Sequence, residues 1–282
     1  MKKAIFTIAV GADNPMYQAS IRSFERYAKR VNADLIVSDE LHYPIKIDEP
    51  KYYANPAWAE KMRIGELLKT YHRVLYLDAD ILITPNARDV FQHYEDLDTI
   101  YMFNEGRYVN RDEPIESISS LLGMISDWSV SGNNPTYYNL GVMLISRQSP
   151  LFSLASLEEL QAICNKTKFY EQTYINYLIQ RHKLKNSNLE EKFNRMDLLG
   201  NKGYKQADFI HYANKGFSKS GRRRELQYVI DYLDFFKEEI SMADQKNLKK
   251  SVWKFYLSRV YARYNYLPRT LLRFLCRTFV KV

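Results

Sequence analysis

The chain has 282 residues, 46% of them hydrophobic, with ten glycines and nine prolines, which excludes collagen-like and low-complexity classes and permits one sizeable core. Its formal charge of +8 is unevenly placed: Lys246 to Val282 hold ten lysines and arginines and no acid, whereas residues 1–245 set 31 bases against all 33 acids, a net of −2. The basic excess is therefore a statement about the partner of a tail, not about the main domain.

In chain order, "AIFTIAV" (4–10) predicts a first strand. The two lysines before it imitate a short secretory leader, but no leucine-rich centre follows and the stretch runs into Asp13, Asn14 and Pro15, as a strand entering a loop does. A helix over 17–31 places Ile21, Phe24 and Ala28 on one face; a strand over 33–39, an amphipathic helix over 57–71 and the apolar stretch "RVLYLDADILI" (73–83) complete a βαβαβ pattern. That pattern predicts an α/β fold with an open, mostly parallel sheet, in which ligands collect at the carboxyl ends of the strands. Strands over 98–103 and 137–146 flank a stretch of about 33 residues, long enough to be a lid or binding loop. Helices over 151–164 and 171–182, a short strand "DFIHYA" (208–213) and a helix over 222–240 follow. There is no internal repeat, and Cys164 and Cys276 have neither a zinc spacing nor a disulfide framework, which fits a reducing cytoplasm. The domain expectation is one main unit over 1–245 followed by a tail over 246–282.

Asp78 and Asp80 stand one residue apart at the end of the most apolar segment. On a regular strand their side chains share a face about 7 Å apart, and a bend brings both toward one point. Paired, dry carboxylates repel unless a cation neutralises them, and a divalent ion shared with substrate phosphates does so. The competing readings are a pair of turn-capping aspartates and a phosphohydrolase in which the first aspartate is the nucleophile.

Four segments in order, "KMRIGELLKTYHRVLYLDADILI", "YYNLGVMLIS", "EQTYINYLI" and "FIHYANKG", resemble the family 8 glycosyltransferases of GT-A fold, a group that includes glycogenin and lipopolysaccharide galactosyltransferases. The likeness spans about residues 4 to 217 and implies that 1–245 is a catalytic unit, with nucleotide-sugar binding roughly over 1–103 and the acceptor-binding and metal-completing part roughly over 104–245. It implies that Asp78 and Asp80 bind Mn²⁺ (or Mg²⁺) bridging the two phosphates of a UDP-sugar, and that His211 is the third protein ligand; a hydrogen-bonded strand-end histidine is the alternative. It implies that Lys61 touches the donor diphosphate or sugar, with Arg63 as its rival, and that the segment from Thr7 to Tyr17 holds uridine, with Ala9 and Asp13 near the base and ribose. Asn139 and Gly141 match the segment beneath the donor sugar. Glu171 and Gln172 stand where relatives have Asp-Gln facing the reacting carbon, although first-turn capping of their helix is equally open. The family's lysine after the histidine has no match here; Lys215, Lys219 and Arg222 are the candidates to replace it. The activity implied is retaining transfer of a hexose, galactose or glucose, to a glycan or lipid-linked glycan.

In the tail, Arg269, Arg273, Arg277 and Lys281 recur every fourth residue with Leu271, Leu272, Phe274, Leu275 and Phe279 among them. Basic, aromatic, amphipathic helices lie in anionic membrane interfaces, which predicts a cytoplasmic enzyme peripheral on the inner face of the cell membrane. Packing of the tail on the main domain is the rival, and nucleic acid is not expected because the tail is too apolar for a phosphate-tracking arm. A non-catalytic membrane-binding protein with a sugar-nucleotide fold remains a third functional class.

Overall fold

The computed structural model describes residues 1–11, 13–48, 54–218 and 223–280. The strands are β1 (Lys3–Ile8), β2 (Asp34–Ser38), β3 (Arg73–Asp78), β4 (Ile81–Ile83), β5 (Ile100–Asn104), β6 (Val130–Ser131), β7 (Asn134–Pro135), β8 (Tyr138–Ser146), β9 (Asn186–Asn188) and β10 (Phe209–His211). The α-helices are α1 (Pro15–Val31), α2 (Ile64–Thr70), α3 (Val90–His93), α4 (Asp112–Leu122), α5 (Leu151–Leu154), α6 (Leu157–Ile163), α7 (Tyr170–Arg181), α8 (Arg224–Phe236), α9 (Met242–Arg263) and α10 (Arg269–Phe279).

Six strands form the central sheet in the order β2-β1-β3-β8-β5-β9. Strand β8 runs antiparallel to both neighbours, and the other pairs are parallel. The sheet is therefore mixed and mostly parallel, flanked by helices, with helices at the C-terminal end. Val74, Leu75, Tyr76 and Leu77 of β3 are all essentially buried, as a central strand covered on both faces requires. Helix α1 starts where Asn14 accepts the Met16 N–H at 3.0 Å and Pro15 takes the first helical position, and it ends at Asn32 in the left-handed region (φ 52°).

Several elements are broken where the sequence predicts continuity. The stretch 73–83 is two strands, not one: β3 ends at Asp78, the chain turns through Ala79 and Asp80, and β4 leaves the main sheet to pair antiparallel with β10. The helix expected over 57–71 is a 3₁₀ helix over Pro56–Arg63 running into α2, and that over 151–164 is α5 plus α6. The long stretch before β8 is a packed insert, with α4 anchored to α7 by the Tyr177 hydroxyl on the Leu122 carbonyl (2.6 Å).

Helix α9 begins at Met242, so position 245/246 falls in its first turn. Its Leu248, Val252, Tyr256 and Val260, four residues apart and hence on one face, are buried in a cluster that also holds Met16, Leu82, Ile210 and Tyr228. Leu272 and Cys276 of α10 join the same cluster. Lys281 and the Phe279 side chain lie outside the described residues. Among the described residues no helix is long and apolar enough to cross a membrane.

Candidate active site

The turn after β3 and the end of β10 meet because His211 is the register partner of Ile81 and the Tyr212 N–H bonds the Asp80 carbonyl at 3.0 Å. This antiparallel pairing carries the imidazole to the two carboxylates across more than a hundred residues of chain. His211 Nε2 lies 3.2 Å from Asp80 Oδ1 and 4.0 Å from Asp78 Oδ2, and one ligand atom from each of the three residues falls within 4.8 Å of the others. Asp80 Oδ1 is buried and has no hydrogen-bond partner among the described residues despite that approach. Two carboxylate oxygens and one imidazole nitrogen, one oxygen orphaned, fit a divalent cation of the Mn²⁺ or Mg²⁺ kind.

The tautomer is set from behind. His211 Nδ1 faces Asn194 Oδ1 at 2.8 Å, and the Asn194 amide in turn donates to Asn139 Oδ1 at 3.0 Å. An Nδ1–H held by an acceptor leaves Nε2 to ligate, the usual outer support of a metal-binding histidine. Burial alone would lower the His211 pKa, but Asp80 and Asp78 outweigh it and raise it above the ordinary imidazole value. Burial likewise opposes ionisation of Asp80, yet His211 and then Arg224 pull its pKa down to about 2.

These residues open into a cleft of about 490 Å³ at the carboxyl ends of β1 and β3. Lys61 is 4% exposed; its amine lies 2.9 Å from Glu171 Oε1 and 3.6 Å from Asp78 Oδ1. Burial works against that charge, and Asp78 and Glu171 overcome it, so the amine stays a firm cation. Its rival Arg63 is engaged elsewhere, on the Ser38 hydroxyl at 3.0 Å. Glu171 is bound by Lys61 across the cleft, and its second oxygen, Oε2, is buried without a hydrogen-bond partner among the described residues. Gln172 donates to Glu105 Oε1 at 3.0 Å, and Asn139 donates to Glu105 Oε2 at 3.1 Å. Lys61, Glu105, Asn139, Glu171 and Gln172 line the cleft, as does Tyr17.

Three expected positions lie elsewhere. Strand alternation puts Ile8 and Val10 on the cleft wall and Ala9 on the opposite side, where its N–H extends the pairing to Ser38 and its side chain is buried. Asp13 is exposed and is not among the lining residues. Gly141 faces the metal ligand and not the cleft: an added Cβ would stand 2.3 Å from His211 Cε1. A register break between β5 and β8 at Met102/Phe103 lets this part of β8 depart from a regular ladder.

Sequence reading missed Glu105, Arg111 and Arg224. Glu105 and Arg111, from the insert, form a pair at 2.7 Å at the cleft wall. Arg224, at the start of α8, reaches Asp80 Oδ2 at 3.5 Å. It belongs to the same "GRRRE" run as Arg222, one of the expected candidates, but nothing in the spacing selects it. Lys215 is exposed and off the cleft, while Lys219 and Arg222 lie outside the described residues.

The chain shares its fold with a glycosyltransferase involved in the glycosylation of the major capsid of PBCV-1, at TM-score 0.54 and 14% identity, over 81% of this chain and 99% of that one. It shares it also with the galactosyltransferase LgtC in complex with donor and acceptor sugar analogs, at TM-score 0.51 and 14% identity, over 84% and 100%. The bifunctional glycosyltransferase WbbM is similar at TM-score 0.51 and 12% identity, over 84% of this chain and 51% of that one. The fold is thus that of the GT-A glycosyltransferases. No protein-family profile matches the sequence, and no curated protein matches it.

Proposed function

We propose that this chain is a metal-dependent retaining glycosyltransferase of the family 8 type, moving galactose or glucose from a UDP-sugar to a glycan or lipid-linked glycan of a surface polysaccharide or lipopolysaccharide. The observation that carries the reading is the convergence of Asp78, Asp80 and His211, from two distant segments, at the floor of a cleft on a glycosyltransferase fold. A bound Mn²⁺ or Mg²⁺ would neutralise the diphosphate and stabilise the charge that develops as UDP departs. Lys61 adds a buried cation beside Asp78, pre-oriented by Glu171, where it stabilises the same charge. Asn139, Glu171 and Gln172 present amide and carboxylate groups to the sugar, with Glu171 Oε2 free to accept a hydrogen bond from a sugar hydroxyl. Tyr17, Ile8 and Val10 form the wall for the uridine. A phosphohydrolase is less well supported, because the fold is shared with glycosyltransferases and His211 joins both aspartates as a third possible ligand.

The test is release of UDP from a panel of UDP-sugars, with Mn²⁺ and with chelator. Release that requires the ion and accelerates with a glycan acceptor is expected; a protein that neither binds UDP with Mn²⁺ nor releases it rejects the reading. The ion must displace the His211 proton, so Mn²⁺ affinity should weaken as pH falls below that raised imidazole pKa.

The tail reading becomes specific in α10. Leu271, Phe274 and Leu275 are exposed by 44%, 65% and 36%, away from the buried Leu272 and Cys276 and flanked by exposed Arg269, Arg273 and Arg277. This face suits an anionic bilayer surface, which would put the enzyme on the inner face of the cell membrane. A triple variant, Leu271→Glu, Phe274→Glu and Leu275→Glu, should lose flotation with anionic liposomes while remaining folded. Undiminished flotation removes the membrane assignment. Truncation at 245 is a poor test, since it strips buried Leu248, Val252, Tyr256 and Val260 from the core.

A further inference from the structure

Glu225, at the start of α8, is 3% exposed, and each of its oxygens carries one guanidinium. Oε1 accepts from both Nη2 and Nε of Arg224, at 3.0 and 3.3 Å, and Oε2 accepts from Arg259 Nη1, on α9, at 2.6 Å, so that Arg224 does not span the two oxygens. The other terminal nitrogen of Arg224, Nη1, is turned to Asp80 Oδ2 at 3.5 Å, too long for a strong bond. A line of alternating charges therefore runs from α9 through Glu225 and Arg224 to a candidate metal ligand. Arg224 lines the cleft, and Arg259 does not.

We propose that Arg259 is a positioning residue: by neutralising one side of Glu225 it leaves Arg224 available to an anionic ligand in the cleft, so that α9 is part of the active-site support. The inference rests on the nucleotide-sugar reading above, in which that ligand is a diphosphate. A buried carboxylate demands compensation for both oxygens, and a guanidinium satisfies a carboxylate best with two parallel N–H bonds. Without Arg259, Arg224 is the remaining described cation on Glu225 and is drawn into that fork, away from the cleft. With Arg259 in place, Nη1 of Arg224 stays loosely held and can turn to a phosphate oxygen. Helix α9 is seated for this task by Tyr256 and Val260, buried on either side of Arg259 in the chain.

The Arg259 side chain is 39% exposed while Glu225 is buried, so its removal keeps the fold stable only because Arg224 takes up the freed oxygen. The consequence should appear in ligand affinity. Calorimetric titration of the full chain with UDP at saturating Mn²⁺ is the test. Arg259→Gln is expected to weaken UDP binding by roughly fivefold to tenfold, the scale of a lost charge-assisted hydrogen bond, with Tm within about 2 °C of the parent protein. Arg259→Lys should retain most of the affinity. In an Arg224→Gln background, Arg259→Gln should have no further effect, and in a Glu225→Gln background, where no carboxylate competes for Arg224, it should again be silent. Unchanged UDP affinity in Arg259→Gln, or a loss that adds in full to that of Arg224→Gln, overturns the inference while leaving the enzyme reading intact. Absence of UDP binding by the unmutated protein overturns both.

Discussion

Asp78→Asn should reduce sugar transfer by roughly a thousandfold or more, the scale of losing a metal or a key transition-state charge, while the protein loses little stability because Lys61 keeps Glu171 as its counter-charge. Asp80→Asn should abolish transfer equally but also cost stability. The difference follows from their surroundings. The Asp78 side chain is 31% exposed and has the Tyr76 hydroxyl and Lys61 as neighbours. Asp80 stands between His211 and Arg224, both of which lose their counter-charge when it is neutralised. Because its carboxyl is held at about 2 against an ordinary 3.8, ionised Asp80 contributes stability above pH 3.8, and that contribution disappears as pH falls toward 2. The Asn variant lacks this component, so its Tm should change less across that interval. Manganese titration, UDP release and thermal unfolding check the three parts; full activity in either variant rejects the metal assignment.

Gly141→Ala should damage the site although the residue does not line the cleft. Its Cβ would lie 2.3 Å from His211 Cε1, 2.9 Å from Nδ1 and 3.0 Å from Asn139 Oδ1. The ring cannot retreat freely: it is 3% exposed and tied to Asn194. Overpacking of this kind costs about 1–3 kcal/mol, and displacing the imidazole should lower metal affinity by roughly 10–100-fold, as loss of an outer support does. An alanine variant with unaltered Mn²⁺ affinity and unaltered Tm would show that β8 can shift to admit the methyl group. The glycine therefore serves a close approach of side chain to backbone.

The positions of β1, α1, β2, β3 and α7 were legible because their signals are local: alternation or helical spacing of apolar residues, and a cap at Asn14. The fully apolar β3 announced a central strand, and two aspartates at its end announced a charge that needed a partner. His211 was legible only through the order of four short motifs, since nothing within "DFIHYA" states what the imidazole meets. The break between β3 and β4 was not legible, because an apolar run reads the same whether it stays in one sheet or changes to another.

By itself the sequence determined the alternating α/β architecture, the carboxylate pair and the segregation of positive charge into the last 37 residues. Tertiary structure decided which groups complete the site. Arg224 reaches Asp80 from 144 residues away, Asn194 orients His211, and Arg259 reaches Glu225 from a helix that composition alone assigned to a separate tail. Local patterns encode which face of an element is buried, but the partner of a buried charge is set by which elements pack together. That packing is decided by the sum of many apolar contacts and leaves no mark at the charged residue itself.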